Sequence, residues 1–265
     1  MNSCNFKNLK VSEEQQNSYS SASPFPHIFI DDFLTNDRYS ELAEQFPGVT
    51  DTTWYKFRSA MENNKRNSTD LESLPSCFQE VMRDFNSPEF IKYLEEMTGI
   101  TGLIPDPEFL GGGLHKTGIG GKLGMHIDYN LHPTLKLDRR LNAILYLNDY
   151  WEDSWGGSLE FWNENVTECV TKISNKGNRL VIFNTDERSW HGHPNPLACP
   201  EDVYRHSIAF YYYTEGRPAN EIAPEHNTIF KLRPEEVLKH TVYDRLLVLI
   251  PSFVRSFLRK VKGML

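Results

Sequence analysis

Cysteine is scarce and unpatterned in this chain. Its four cysteines, Cys4, Cys77, Cys169 and Cys199, share no C-x-x-C pair and no regular spacing, so neither a zinc knuckle nor a disulfide framework is indicated. Positive charge is also in short supply. With 28 Lys and Arg against 36 Asp and Glu the formal net charge is -8, which excludes a nucleic-acid binder that works by neutralising phosphates. Small anions can still be held by local arginines. The opening stretch, residues 1–24, has no apolar core of signal-peptide length and is rich in Ser, Asn and Gln, so it reads as a mobile tail on a cytoplasmic chain. The glycine-rich run at 111–124 lacks both G-x-G-x-x-G and G-x4-G-K-[ST], and a strand follows it rather than a helix, which excludes a phosphate loop. No internal repeat is visible. The N-x-T triplets at Asn67 and Asn165 would matter only on a secreted chain and read as chance matches.

What the sequence does contain is a succession of short strands. Residues 141–148 (LNAILYLN), 158–162 (SLEFW), 179–184 (RLVIFN) and 205–213 (RHSIAFYYY) are each bounded by Gly, Asn, Asp or Pro, the pattern of antiparallel sheets rather than of alternating β-α units. Helical spacing occurs ahead of them, over 37–46 with a Pro-Gly stop and over 87–98, where Phe90, Ile91, Leu94 and Met97 share one face before Gly99. The expected fold is mainly β with flanking helices around a double-stranded β-helix, or jelly roll, core. At 265 residues one large domain is preferred to two. The predicted layout is a tail at 1–24, the domain with its N-terminal helices at 25–220, and a helical extension at 221–265. Residues 51–70 are polar and irregular and read as a loop over the site's mouth.

The chemistry sits in three segments: MHIDYN at 125–130, SWHGH at 189–193 and RHSIAFYYY at 205–213. On a strand the side chains at i and i+2 leave from the same face, so His126 and Asp128 can reach one cation while Ile127 points away. His191 closes the set, with His193 as a rival two residues on. Two imidazoles and one carboxylate on one side of a metal leave the opposite positions open, as a non-haem Fe(II) oxygenase requires.

A lone H-x-D pair is weak evidence, but the order that follows it is not. A first metal pair, several strands, a distal histidine and an arginine-led strand together resemble the 2-oxoglutarate/Fe(II) dioxygenase superfamily and, within it, the prolyl 4-hydroxylase-like branch. The resemblance covers residues 100–215, and 25–47 is similar to that family's helical lead-in. It implies Fe(II) on His126, Asp128 and His191, and 2-oxoglutarate as cosubstrate with its C5 carboxylate on Arg205, assisted by Tyr146 and Ser207. Arginine suits a buried carboxylate because its planar fork bonds it bidentately and keeps its proton. Period-2 alternation puts Tyr146 on one face with Asn142 and Ile144, lining the interior. A second family tyrosine is missing, and His115 or Lys116 stands there. The implied reaction consumes O2 and releases succinate and CO2 while a substrate C–H bond is hydroxylated, with ascorbate in support. Because Asp128 fills the position that related halogenases vacate, hydroxylation is expected over halogenation.

Other readings are a cupin-type jelly roll that holds a metal without oxygenase activity, and an inactive interaction module, disfavoured by the intact ligand set. A cupin has no reason to keep an arginine and tyrosine clamp at that distance from its metal. The resemblance implies a small-molecule or peptide substrate without identifying it. Trp54, Tyr55, Arg58, Tyr129, Arg139, Arg140, Trp151, Trp155 and Trp190 are candidates for the mouth. The segment 243–265, apolar residues interleaved with Arg and Lys, is expected to pack on the barrel or form a homodimer contact, ahead of resting on a membrane.

Overall fold

The computed structural model describes residues 5–48, 52–57 and 59–236. The chain divides into two compact units, Met1–Phe230 and Lys231–Leu265, and the first carries the site. Its helices are α1 (Glu13–Ser21), α2 (Asn36–Glu44), α3 (Ser76–Phe85) and α4 (Pro88–Thr98). Its strands are β1 (His27–Ile30), β2 (Tyr55–Phe57), β3 (Glu62–Ser68), β4 (Ile104–Pro105), β5 (Gly113–Ile127), β6 (Asp138–Tyr146), β7 (Leu159–Trp162), β8 (Cys169–Ile173), β9 (Leu180–Asn184), β10 (His191–His193), β11 (Arg205–Thr214) and β12 (Ile229–Phe230). Every named pairing is antiparallel, and the main path runs β1-β9-β6-β11-β5-β10-β7-β8. The core is the expected nearly closed jelly roll.

β5 joins its two walls. The first half pairs with β11, Arg205 opposite Thr117, and the second half pairs with β10, His191 opposite His126. Alternation sorts the side chains. On β6, Leu141, Ala143 and Leu145 face the helices, in one cluster with Phe85, Phe90 and Phe210, while Ile144 and Tyr146 pack inward with Phe161 and Phe183. The helices cover the outer face because their own stripes are apolar. α4 starts where the Ser87 hydroxyl accepts from Phe90 N, with Pro88 in its first turn, and stops at Gly99, whose φ of 72° suits a residue without Cβ. Phe90, Leu94 and Met97 bury its predicted face, each worth about 1.5–3 kcal/mol on removal from water.

Three expectations need correction. Residues 5–22 are not a tail, because Phe6 and Tyr19 are buried and α1 forms behind a capping box in which Ser12 and Gln15 bond reciprocally. Average composition hid two aromatic anchors and one cap. Residues 55–57 and 62–68 are not an irregular loop but the strands β2 and β3, paired with each other, and β3 pairs with β5 from Glu62 to Ser68. The extension predicted for 221–265 is not helical through 222–230, where β12 adds to β5 with Phe230 opposite His126. The proposed amphipathic segment 243–265 lies outside the described residues. Among the described residues no helix is long and apolar enough to cross a membrane.

Candidate metal centre

His126 and Asp128 leave the end of β5, and His191 opens β10 directly opposite His126. The ligand atoms of the three lie within 4.8 Å of one another. His126 Nε2 is 3.7 Å from one Asp128 oxygen and His191 Nε2 is 3.5 Å from the other. Each imidazole donates its Nδ1–H to a backbone carbonyl, His126 to Gly124 at 2.9 Å and His191 to Ser189 at 2.8 Å. In a neutral imidazole that leaves the lone pair on Nε2, aimed at the common centre, which is the arrangement a metal ligand needs. Burial lowers the pKa of both rings, that of His126 to about 3, so they stay neutral donors. The donor set fits a divalent cation.

The carboxylate is held from behind. Asn142 Nδ2 donates to Asp128 at 2.8 Å and Arg139 Nη2 stands 3.1 Å from the same oxygen. Burial would raise the Asp128 pKa, but Arg139 and the two histidines outweigh it and hold the group well below the usual carboxylate range. Arg139 is itself only 1 % exposed, its guanidinium 3.5 Å from the Tyr211 ring centre and 4.6 Å from that of Tyr129. Its Nε and Nη2 also donate to Asn142 Oδ1, at 3.1 and 2.8 Å.

On the same cavity, of about 190 Å³, lie Arg205 and Ser207. Arg205 Nε donates to Gly157 O at 2.8 Å and Nη2 to the Tyr146 hydroxyl at 3.0 Å. Ser207 pairs with Tyr146 across β11 and β6. Burial raises the Tyr146 pKa, with Arg205 opposing, and the phenol remains protonated. All six residues singled out in the sequence therefore converge. His193 lines the cavity too, but outside the close cluster, with Nδ1 buried and unpartnered among the described residues.

Other candidates sort differently. Of the proposed mouth residues Tyr129 and Arg139 reach the cavity, whereas Arg140 pairs with Glu221 and Trp151 and Trp155 pack on each other. Arg58 lies outside the described residues. Near the missing tyrosine, His115 faces the cavity, its pKa lowered to about 3 by burial. Lys116 points the other way, donating to Pro47 O. The residue that enters instead is Lys65 of β3, with Glu62 at 3.3 Å. Sequence reading missed it along with Phe230, whose ring lies 5.5 Å from that of His126.

Comparison with known proteins bears on this geometry. Residues 112–213 match the model of the 2OG-Fe(II) oxygenase superfamily, a stretch that includes all six convergent residues. A prolyl-4-hydroxylase from Pseudomonas putida is similar in structure, with TM-score 0.53 at 14% identity over 76% of this chain and 100% of that one. HygX from Streptomyces hygroscopicus, solved with nickel, 2-oxoglutarate and hygromycin B, gives 0.53 at 12% over 82% and 96%. The epimerase SnoN from nogalamycin biosynthesis gives 0.54 at 11% over 82% and 93%. At such identities the likeness is one of fold. No curated protein sequence matches the chain.

Proposed function

From the match of residues 112–213 to the 2OG-Fe(II) oxygenase superfamily model we propose that the chain is a member of that superfamily, an Fe(II)- and 2-oxoglutarate-dependent dioxygenase that hydroxylates an unactivated C–H bond of a small-molecule, amino-acid or prolyl peptide substrate. The observation that carries the reading is that His126, Asp128 and His191 gather within 4.8 Å beside a buried arginine already fixed by a tyrosine. The three ligands would hold Fe(II), which with O2 and 2-oxoglutarate supplies the oxidising power, succinate and CO2 being the co-products. Arg205, Tyr146 and Ser207 would bind the cosubstrate's C5 carboxylate. Gly124 and Ser189 carbonyls orient the imidazoles, and Arg139 with Asn142 keeps Asp128 ionised and in place.

HygX holds 2-oxoglutarate on a similar fold, which supports the cosubstrate. An epimerase shares the fold as well, so the mass of the product decides between epimerisation and hydroxylation, while Asp128 leaves no vacancy for a halide. Ascorbate is expected to sustain turnover by keeping the metal ferrous. A reducing cytoplasmic setting suits Fe(II) and agrees with the free thiols of Cys77 and Cys199.

The test is aerobic succinate formation from 2-oxoglutarate with Fe(II) and ascorbate, followed by product mass in chloride buffer. Succinate lost on Ala substitution of any of the three ligands, and a product heavier by one oxygen, are the expected results. Absence of succinate, together with no iron-to-cosubstrate charge-transfer band, would return the chain to the cupin-type alternative.

A further inference from the structure

The cosubstrate end of the cavity holds one more cation than the reading above uses. Lys65 of β3 pairs with Thr117 of β5, and Thr117 pairs with Arg205 of β11, so Lys65, Thr117 and Arg205 form one row across three adjacent strands. At a strand spacing of about 4.8 Å the two cationic residues are rooted roughly 10 Å apart on one face. Both line the same cavity. A carboxylate is small enough to sit between the two heads.

The surroundings favour an anion there. Lys65 is 11 % exposed, and burial and Arg205 both act against its charge while Glu62 and Asp128 support it. Among the cavity-lining residues three cations, Lys65, Arg139 and Arg205, face two carboxylates, with Arg139 paired to Asp128 and Lys65 to Glu62 at 3.3 Å, so the Lys65–Arg205 end carries one positive charge in excess and Lys65 keeps further N–H groups for an anion. A third observation is independent of charge. His193 Nδ1 is a buried polar atom without a partner among the described residues, on the same cavity as Lys65 and Arg205. A buried polar atom left unpaired is costly, and an incoming carboxylate oxygen removes that cost.

We propose that Lys65, presented by β3, is a second cationic contact to the distal carboxylate of the 2-oxo dicarboxylate, opposite Arg205. This rests on the 2-oxoglutarate reading and deepens it.

The experiment is anaerobic titration of the Fe(II)-loaded chain, reading the charge-transfer band, with 2-oxoglutarate and with pyruvate, a 2-oxo acid that lacks the distal carboxylate. Lys65→Met should weaken 2-oxoglutarate by roughly thirtyfold, the lower end of the cost of truncating one partner of a buried charge pair. Lys65→Arg should recover most of it. Pyruvate binding and iron affinity should be the same in wild type and Lys65→Met. An unchanged 2-oxoglutarate half-saturation in Lys65→Met overturns the assignment, as does an equal loss for pyruvate, which would put the contact elsewhere. Failure of the wild type to bind 2-oxoglutarate at all would instead remove the function from which the inference starts.

Discussion

Arg205 is buried, with Nε committed to Gly157 O and one Nη2–H to Tyr146, so its head is fixed and further N–H groups remain for a carboxylate. Removing one partner of a buried charged pair costs roughly 3–5 kcal/mol, and about 1.4 kcal/mol is tenfold. Arg205→Ala should therefore weaken 2-oxoglutarate at least about a hundredfold in an anaerobic charge-transfer titration, with iron binding kept. Lys at 205 should rescue partly, as a point charge cannot reproduce the fork. Unchanged half-saturation in the Ala variant would move the clamp elsewhere, though not to Arg179, which is spent on Asp31 at 2.6 Å. The neighbouring histidines invite a second measurement. His191→Ala should lose iron and His193→Ala keep it, and the reverse pattern would transfer the ligand role to His193. These roles were legible because alternation and chain order both mark them. Arg139 was marked only as a candidate for the mouth and not as the partner of Asp128, since β6 and β11 slip register between Tyr212 and Tyr213, and the bulge lets Arg139 join the face of Asn142 against the period-2 rule. Lys65 was hidden for a different reason, as only cross-strand pairing brings it beside Thr117.

Among the elements, β10 shows how little sequence it takes to place a ligand. It has three residues, His191, Gly192 and His193, clasped between β5 and β7. A Cβ on Gly192 would stand 2.7 Å from the backbone oxygens of both Leu123 and Gly124, a contact that real Cβ atoms do not make. The strand lies this close to β5 because position 192 has no side chain. Gly192→Ala should push β10 off β5 and move His191 without touching any ligand, and loss of supporting contacts typically costs about 10–100-fold in metal affinity. Competition with a chelator measures it, and an affinity within twofold of wild type would show that β10 has room to shift. Elements read well where period and punctuation agreed, as in α4, predicted for 87–98 and found at Pro88–Thr98. They read poorly where pairing is non-local. The polar text of β3, ENNKRNS, has no apolar alternation because one side of it faces a charged cavity, and nothing short of its partner β5 marks it as a strand.

Across the whole molecule the site's histidines are part of a wider pattern of buried neutral imidazoles. His115, His126 and His206 each have a pKa lowered to about 3, burial being the largest cause, and those of His27, His191 and His193 are lowered too. In the unfolded chain each returns towards the ordinary 6.5. Between these two values the unfolded state binds protons that the folded state refuses, so stability is complete above about pH 6.5 and falls as the pH drops towards 3. Asp128 pulls the same way lower down, its depressed pKa giving stability that is lost as acid protonates it. The metal-free protein should therefore be markedly less stable in urea at pH 5.0 than at pH 7.5. His206 isolates one contributor away from the metal. It stacks on Phe46 with centroids 3.8 Å apart and planes 7° from parallel, and its buried Nε2 has no partner among the described residues. Phenylalanine keeps the stacking and has no proton to take up. At 1.36 kcal/mol per pH unit for one group, His206→Phe should shrink the stability difference between pH 7.5 and 5.0 by about 2 kcal/mol. A variant whose loss on acidification equals the wild type's would show that the residue at 206 carries no part of the linkage, leaving it to the histidines lining the cavity.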